Sequence, residues 1–237
     1  MLLLLATSLA LLIIMISGDS PFRWWIVDDW FKPLSDIRMA DAVLHPWEVS
    51  YNNDVERGKR TSRNWEAMLP ELRTAFIKLR HDDTVKEWAN ITSIPSLADD
   101  PTAHGAGLHC STDGSFLQVH ADYELHSTCT LERRLNLILF MHDRWEKEWG
   151  GELLLCDPTG KAIVEIEPIP GRLAVFECGA ASYHGVRVVR GKQATRLSCA
   201  VYLLADARPG AVRKRAMFFP NRSRDGIPQE VAAKCSH

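Results

Sequence analysis

The chain has 237 residues, 46% of them hydrophobic and 24% charged, with a formal net charge of -2 at neutral pH. That supplies the apolar material for one sizeable core and gives no reason to expect nucleic acid as a partner. The cysteines at positions 110, 129, 156, 178, 199 and 235 form no CxxC pair or zinc-ligand spacing; Cys156, Cys178 and Cys199 stand in apolar, strand-like stretches, which favours buried thiols over a disulfide framework.

Met1 to Ser17 form an apolar run broken only by Thr7 and Ser8. Its length approaches a membrane span, and it is also like the apolar part of a signal peptide. No lysine or arginine precedes it, and Ile16-Ser17-Gly18 makes a poor cleavage site. Three readings stand: a membrane anchor or export signal, with membrane association through residues 1-17; a buried N-terminal helix; or an extension of uncertain start. Under the first, Asn90-Ile91-Thr92 and Asn221-Arg222-Ser223 become glycosylation sequons; otherwise the protein is cytoplasmic. Residues 18-237 are expected to be a single domain with its core at about 105-205.

Arg23 to Val27 reads as a strand and Pro33 to Leu44 as a helix, with Leu34, Ile37, Ala40 and Ala42 as its buried positions and Pro46 closing it. A polar stretch rich in Asn, Asp and Arg follows. Then come a helix from about Pro70, on which Leu72, Phe76 and Leu79 recur in helical rhythm, and a helical piece from Val85 to Ile91. The first hundred residues are thus expected to be mostly helical support. From Gly107 short apolar runs are cut by Gly, Pro and Asp. The predicted strands are Ser115 to His120, Leu135 to His142, Glu152 to Cys156, Ala162 to Ile166, Arg172 to Phe176, His184 to Val189 and Arg196 to Leu204. Gly150-Gly151, Asp157-Pro158-Thr159-Gly160 and Pro170-Gly171 supply the turns between them. The fold class is mainly β (α+β): a double-stranded β-helix, or jelly roll, with N-terminal supporting helices. Near the C-terminus Arg213-Lys214-Arg215 and Arg222 to Arg224 flank Phe218-Phe219-Pro220, which reads as a solvated basic face packed down by two phenylalanines.

His120-Ala121-Asp122 carries the chemistry. A His-x-Asp triplet is weak by itself in a chain with nine histidines, and His81 with Asp83 repeats it. That second pair ends a helix, where residues two apart diverge by about 200°. His120 and Asp122 end a strand, where they project to the same side. His184, in a run remote along the chain, reads as a core histidine in isolation. Joined to the pair by a jelly roll, it completes two histidines and a carboxylate, a set that occupies one face of a ferrous ion and leaves the opposite positions open. Arg196 adds a constraint. A dicarboxylate such as 2-oxoglutarate that chelates iron through its keto-acid end needs a bidentate cation for its far carboxylate. Arg187, Arg190 and Lys192 compete from a strand end and a turn where water solvates them; Ser198 shares the face of Arg196 and offers a second hydrogen bond. A plain exposed strand arginine is the other reading of Arg196.

Taken in order, Val27-Asp28-Asp29-Trp30-Phe31, Gly105-x-Gly107-Leu108-His109, His120-x-Asp122, Arg133 to Phe140, Trp145 with Trp149-Gly150-Gly151-Glu152-Leu153, Tyr183-His184-Gly185 and Arg196-x-Ser198 resemble the iron(II)- and 2-oxoglutarate-dependent oxygenases of the prolyl 4-hydroxylase type. The resemblance runs from about Pro21 to Leu204. It implies a jelly-roll core, His120, Asp122 and His184 as the catalytic iron ligands, and Arg196 as the co-substrate anchor. It further implies Fe(II) and 2-oxoglutarate as cofactors, with ascorbate as an accessory one. Dioxygen and a peptide, protein or small amino-acid substrate would be the partners. The implied reaction hydroxylates an unactivated C–H bond, a prolyl residue being the first candidate, with release of succinate and carbon dioxide. Relatives often carry a tyrosine where Phe140 stands, and in some its hydroxyl helps hold the far carboxylate; here Ser198 or a water would have to compensate. Asp122 retains the carboxylate that related halogenases replace, which favours hydroxylation. Two other readings are a catalytically inactive jelly-roll binding module that retains the metal pocket and a zinc hydrolase, the latter explaining Arg196 poorly. Tyr123, Trp145 and Trp149 are either mouth-lining or packed aromatics.

Overall fold

The computed structural model describes residues 2–5, 13–212 and 215–219. Arg213, Lys214, Pro220, the sequon at Asn221, Arg222 to Arg224 and Cys235 lie outside the described residues. In chain order the elements are β1 (Leu2–Leu5), β2 (Ile13–Gly18), β3 (Trp24–Val27), α1 (Asp36–Val43), β4 (Val49–Asn52), β5 (Glu56–Ser62), α2 (Pro70–Arg80), α3 (Asp82–Thr92), β6 (Ala98–Asp99), β7 (Gly107–Ala121), β8 (Leu131–Phe140), β9 (Leu153–Cys156), β10 (Ala162–Ile166), β11 (Leu173–Glu177), β12 (Tyr183–Val186), β13 (Thr195–Asp206) and β14 (Met217–Phe218).

All pairings are antiparallel, and the strands form one curled sheet in the order β1-β2-β3-β11-β8-β13-β7-β12-β9-β10, with β5 and β14 also on β7. This is the jelly roll the turn-rich sequence predicts. β7 makes the corner. Its first half lies between β13 and β5, and its second half pairs with β12 through His184↔His120 and Val186↔Leu117. Gly114, at φ +79°, takes a left-handed conformation near the middle of that strand. The curl brings β12, from the later part of the chain, beside the end of β7.

Side-chain alternation gives β8, β13 and the start of β7 two different faces. Leu135, Leu137 and Leu139, with Leu197, Cys199, Val201 and Leu203 and with Leu108 and Cys110, point outward. They meet Leu72, Ala75, Phe76 and Leu79 of α2 and Val85 and Trp88 of α3 in one core. The opposite face carries Asn136, Ile138, Arg196, Ser198, Ala200, Tyr202, His109 and Ser111 and turns toward a cavity. Pro70 opens α2 at its first turn, where no backbone N–H is needed.

Several expectations are corrected. Residues 13–18 are a strand, not a helix: Ile13–Gly18 pairs with Trp24–Val27 and carries Met15 into the core. No helix of the described residues is long and apolar enough to cross a membrane, so the anchor reading of residues 1–17 gains no support here. The polar stretch after α1 forms the β4-β5 hairpin, and the first hundred residues hold strands as well as helices. In α1 the buried positions are Met39 and Ala42, whereas Ile37 is 79% exposed and Ala40 is exposed too. That short helix buries only the stripe facing the sheet. The His184 strand stops at Val186. His81 serves as the N-cap of α3, its Nδ1 accepting from the Asp83 N–H at 3.3 Å. Cys110, Cys178 and Cys199 are buried free thiols, and Cys156 is buried as well.

Candidate active site

His120 lies near the end of β7, Asp122 one residue beyond that strand, and His184 on β12 directly opposite His120 in register. The two imidazoles have ring centroids 4.3 Å apart. Each is held the same way. His120 Nδ1 donates to the Gln118 carbonyl at 2.9 Å and His184 Nδ1 to the Ser182 carbonyl at 2.9 Å. With Nδ1 carrying the proton, each ring presents the lone pair of Nε2. Those nitrogens stand 3.5 Å and 3.6 Å from the two oxygens of the Asp122 carboxylate. One ligand atom from each residue thus lies within 4.8 Å of the others, the one such cluster among the described residues.

The charges suit a cation. Burial by itself would push the Asp122 carboxyl up, but His184, His120 and Arg133 outweigh it and hold the group well below the usual carboxylate range. Burial, helped by His120, draws His184 down to about 4 against the opposing pull of Asp122. At neutral pH the cluster therefore sets an anionic Asp122 carboxylate beside a neutral His184 imidazole. Two Nε2 atoms and one carboxylate, all on one side of a common point, fit a ferrous ion that keeps open positions. The surroundings are apolar: the Phe218 ring stacks on His120 at 5.1 Å and Phe176 lies 4.7 Å from His184.

Tyr202, which the sequence reading did not single out, donates its hydroxyl to Asp122 Oδ2 at 3.0 Å. The guanidinium carbon of Arg133 lies 3.5 Å from the centroid of the Tyr202 ring and 3.5 Å from that of Tyr123, and one of its terminal nitrogens donates to the His104 carbonyl at 2.5 Å. Strand alternation offered a signal for Tyr202, since positions 196, 198, 200 and 202 share a face.

From this cluster a cavity of about 450 Å³ reaches Arg196 and Ser198. Arg196 is only 4% exposed. Its Nε donates to the Gly151 carbonyl at 2.8 Å, and its guanidinium sits 4.9 Å over the Phe140 ring. Burial draws its pKa down to about 10, with Glu152 opposing, so it stays cationic at neutral pH. Gly151 allows the approach: at φ +68°, an added Cβ would stand 2.9 Å from the Trp145 ring and 3.3 Å from Arg196 Cδ. The Ser198 hydroxyl is buried with no hydrogen-bond partner among the described residues. Among the competing cations, Arg187 is engaged by Glu152 and Glu165, and Arg190 and Lys192 are exposed. Tyr123 lines the cavity. Trp145 packs against His142 and Trp149 and donates to the Gly150 carbonyl, while Trp149 borders a small separate hollow beside α1.

The jelly roll gathers two imidazoles and a carboxylate at one end of a cavity and a buried arginine in its wall, adjoining places for a metal ion and an anion. Residues 106–204 match the 2OG-Fe(II) oxygenase superfamily. The fold is similar to that of a collagen prolyl hydroxylase of Paramecium bursaria Chlorella virus-1 in its 2OG complex, at 16% identity and TM-score 0.51, covering 77% of this chain and 96% of that one. It is similar also to a Pseudomonas putida prolyl-4-hydroxylase (15% identity, TM-score 0.51, 78% and 93% covered). A third likeness is a Trichoplax adhaerens prolyl hydroxylase in complex with a hypoxia inducible factor peptide fragment (16% identity, TM-score 0.52, 77% and 83% covered). No curated protein matches the chain. The family model thus covers the stretch that carries the whole cluster and Arg196, and the likeness to the solved prolyl hydroxylases is one of fold.

Proposed function

We propose that His120, Asp122 and His184 hold the iron, that Arg196 and Ser198 anchor the far carboxylate of 2-oxoglutarate, and that the enzyme hydroxylates an unactivated C–H bond, releasing succinate and carbon dioxide. The substrate in this reading is a prolyl residue of a peptide or protein, or a related amino-acid side chain. One observation carries it: both imidazoles are tethered through Nδ1 to a carbonyl two residues back, so that their Nε2 atoms and the Asp122 carboxylate converge. Bound iron supplies the centre at which dioxygen is reduced while 2-oxoglutarate is decarboxylated.

The chain's own groups do the rest. The backbone tethers fix the ring orientations before metal arrives, and the Tyr202 hydroxyl holds one carboxylate oxygen of Asp122 in place. Arg196 neutralises an anion in a pocket with little water, and the Phe140, Phe176 and Phe218 rings keep water from the reacting centre. For the substrate, the support is the shared fold of the prolyl hydroxylases and the peptide bound to the Trichoplax adhaerens protein. We further read residues 18–237 as one catalytic domain built around a core at about 105–205, since β7 to β13 carry every proposed ligand.

His120→Ala, Asp122→Ala and His184→Ala should each abolish metal retention and substrate-dependent succinate formation. Wild-type-like turnover in any of them, with iron and 2-oxoglutarate supplied, overturns the ligand assignment. Mass spectrometry of prolyl peptides and free amino acids after incubation should reveal a gain of one oxygen. Tight metal binding without succinate from any candidate would mark a binding module instead.

A further inference from the structure

A carboxylate buried in a pocket presents about four lone-pair sites, and each one left without a donor weakens binding. In the proposed anchor, a bidentate Arg196 fills two and the Ser198 hydroxyl a third. Phe140, the β8 neighbour of Ser198 in register, offers none. On the other flank of Ser198 the register partner is His109 of β7, which is itself opposite Thr61 of β5. Ser111, two residues along the same face, pairs in register with Arg196. His109 therefore stands beside the two anchor residues, on the cavity wall they line. Its imidazole makes no hydrogen bond to any described residue. Lys59, a cation on the same wall, is already taken by Glu56 at 2.7 Å. Burial, with Lys59 and Arg196 adding to it, holds the His109 imidazole neutral, and a neutral imidazole still carries one N–H donor.

We propose that His109 is a further 2-oxoglutarate-binding residue, whose ring N–H donates to the far carboxylate from the β7 side. With Arg196 and Ser198 it completes a cradle that selects a dicarboxylic over a monocarboxylic 2-oxo acid. The proposal rests on the reading of Arg196 as the anchor. It assigns the donor missing at Phe140 to a different strand.

Anaerobic calorimetric titration of the iron(II)-loaded protein with 2-oxoglutarate and with 2-oxobutyrate, which shares the keto-acid end but lacks the far carboxylate, tests it. His109→Phe should weaken 2-oxoglutarate binding about tenfold or more, as loss of a hydrogen bond to a charged group does, and leave 2-oxobutyrate affinity unchanged. His109→Gln, which keeps a donor, should retain most of the affinity, and Phe140→Tyr added to His109→Phe should restore part of it. Unchanged 2-oxoglutarate affinity in His109→Phe, or equal losses for both acids, overturns the proposal. If Arg196→Ala abolishes the preference for the dicarboxylate while His109→Phe keeps it, the anchor reading survives and His109 is rejected. Wild-type protein that shows no such preference would reject the anchor reading and His109 together.

Discussion

Along β8 and β13, neighbouring residues on a single strand sit in different environments. Leu135, Leu137, Leu139, Leu197, Val201 and Leu203 are packed under helices by other apolar groups. Between them Asn136, Ser198 and Tyr202 face the cavity, and two of their side chains, at Asn136 Oδ1 and Ser198 Oγ, are buried without a hydrogen-bond partner. The helix-backed face needs only apolarity and volume, and many sequences would satisfy it. The cavity face keeps polar groups whose desolvation is not compensated among the described residues, as a site built for a polar ligand requires. The contrast separates residues that hold the molecule together from residues that wait for something else.

That contrast breaks most severely from the helix side. Leu137→Ala removes a fully buried side chain from a core shared by the sheet and the helices and should cost about 2–5 kcal/mol of unfolding free energy in denaturant titration. A loss below about 1 kcal/mol would mean that this face collapses around the cavity and is not the rigid support described.

Protonation probes the boundary between the two faces. His142 is wholly buried; its Nε2–H donates to the Pro168 carbonyl at 2.6 Å, and its Nδ1 accepts from the Leu197 N–H at 3.3 Å. Burial draws its pKa to about 4, with the backbone carbonyls opposing, from an ordinary 6.5. The unfolded chain therefore takes up this proton first. The contribution of His142 should be flat above pH 6.5 and worsen by about 3 kcal/mol as pH falls to 4, then level off. Subtracting the stability profile of metal-free His142→Asn from that of the metal-free wild type should recover this slope. A pH-independent difference would show that His142 takes up its proton equally readily folded and unfolded, and would overturn the effect of burial.

The smallest change in stability belongs to the cavity face. Ser198→Ala deletes a buried hydroxyl that has no partner, so unfolding free energy should stay within about 0.5 kcal/mol of wild type or rise slightly. Affinity for 2-oxoglutarate should fall in the same protein. A clear destabilisation with unchanged affinity would assign Ser198 to the scaffold.

Much of this was legible in the sequence because a period of two survives in the strands that matter. The run Leu135 to Phe140 and the run Arg196 to Leu204 show both faces at once, and His120 with Asp122 falls at a strand end where the pair must share a side. The β4-β5 hairpin was not legible. Its second strand, Glu-Arg-Gly-Lys-Arg-Thr-Ser, is half-buried along most of its length, and a polar strand in such a position carries no apolar alternation. Ile37 misled for the opposite reason: an apolar residue on a two-turn helix was assigned to the core, yet a helix that short buries a single stripe, here Met39 and Ala42. Tyr202 was not legible, and His109 stands in the resemblance without a role, because the partner of a residue in a sheet depends on register, which the chain order alone does not supply.

β7 carries His109 and Ser111 before its Gly114 bend and His120 after it, with Asp122 just past its end. Ser111 and His120 are an odd number of residues apart, so strict alternation would turn them to opposite sides; the register shift where β7 meets β12, between Leu117 and His120, brings both to one cavity. One residue gained or lost there would leave either the wall or the imidazole–carboxylate pair turned to the wrong side. Change along this segment is thereby confined to exchanges that keep its length.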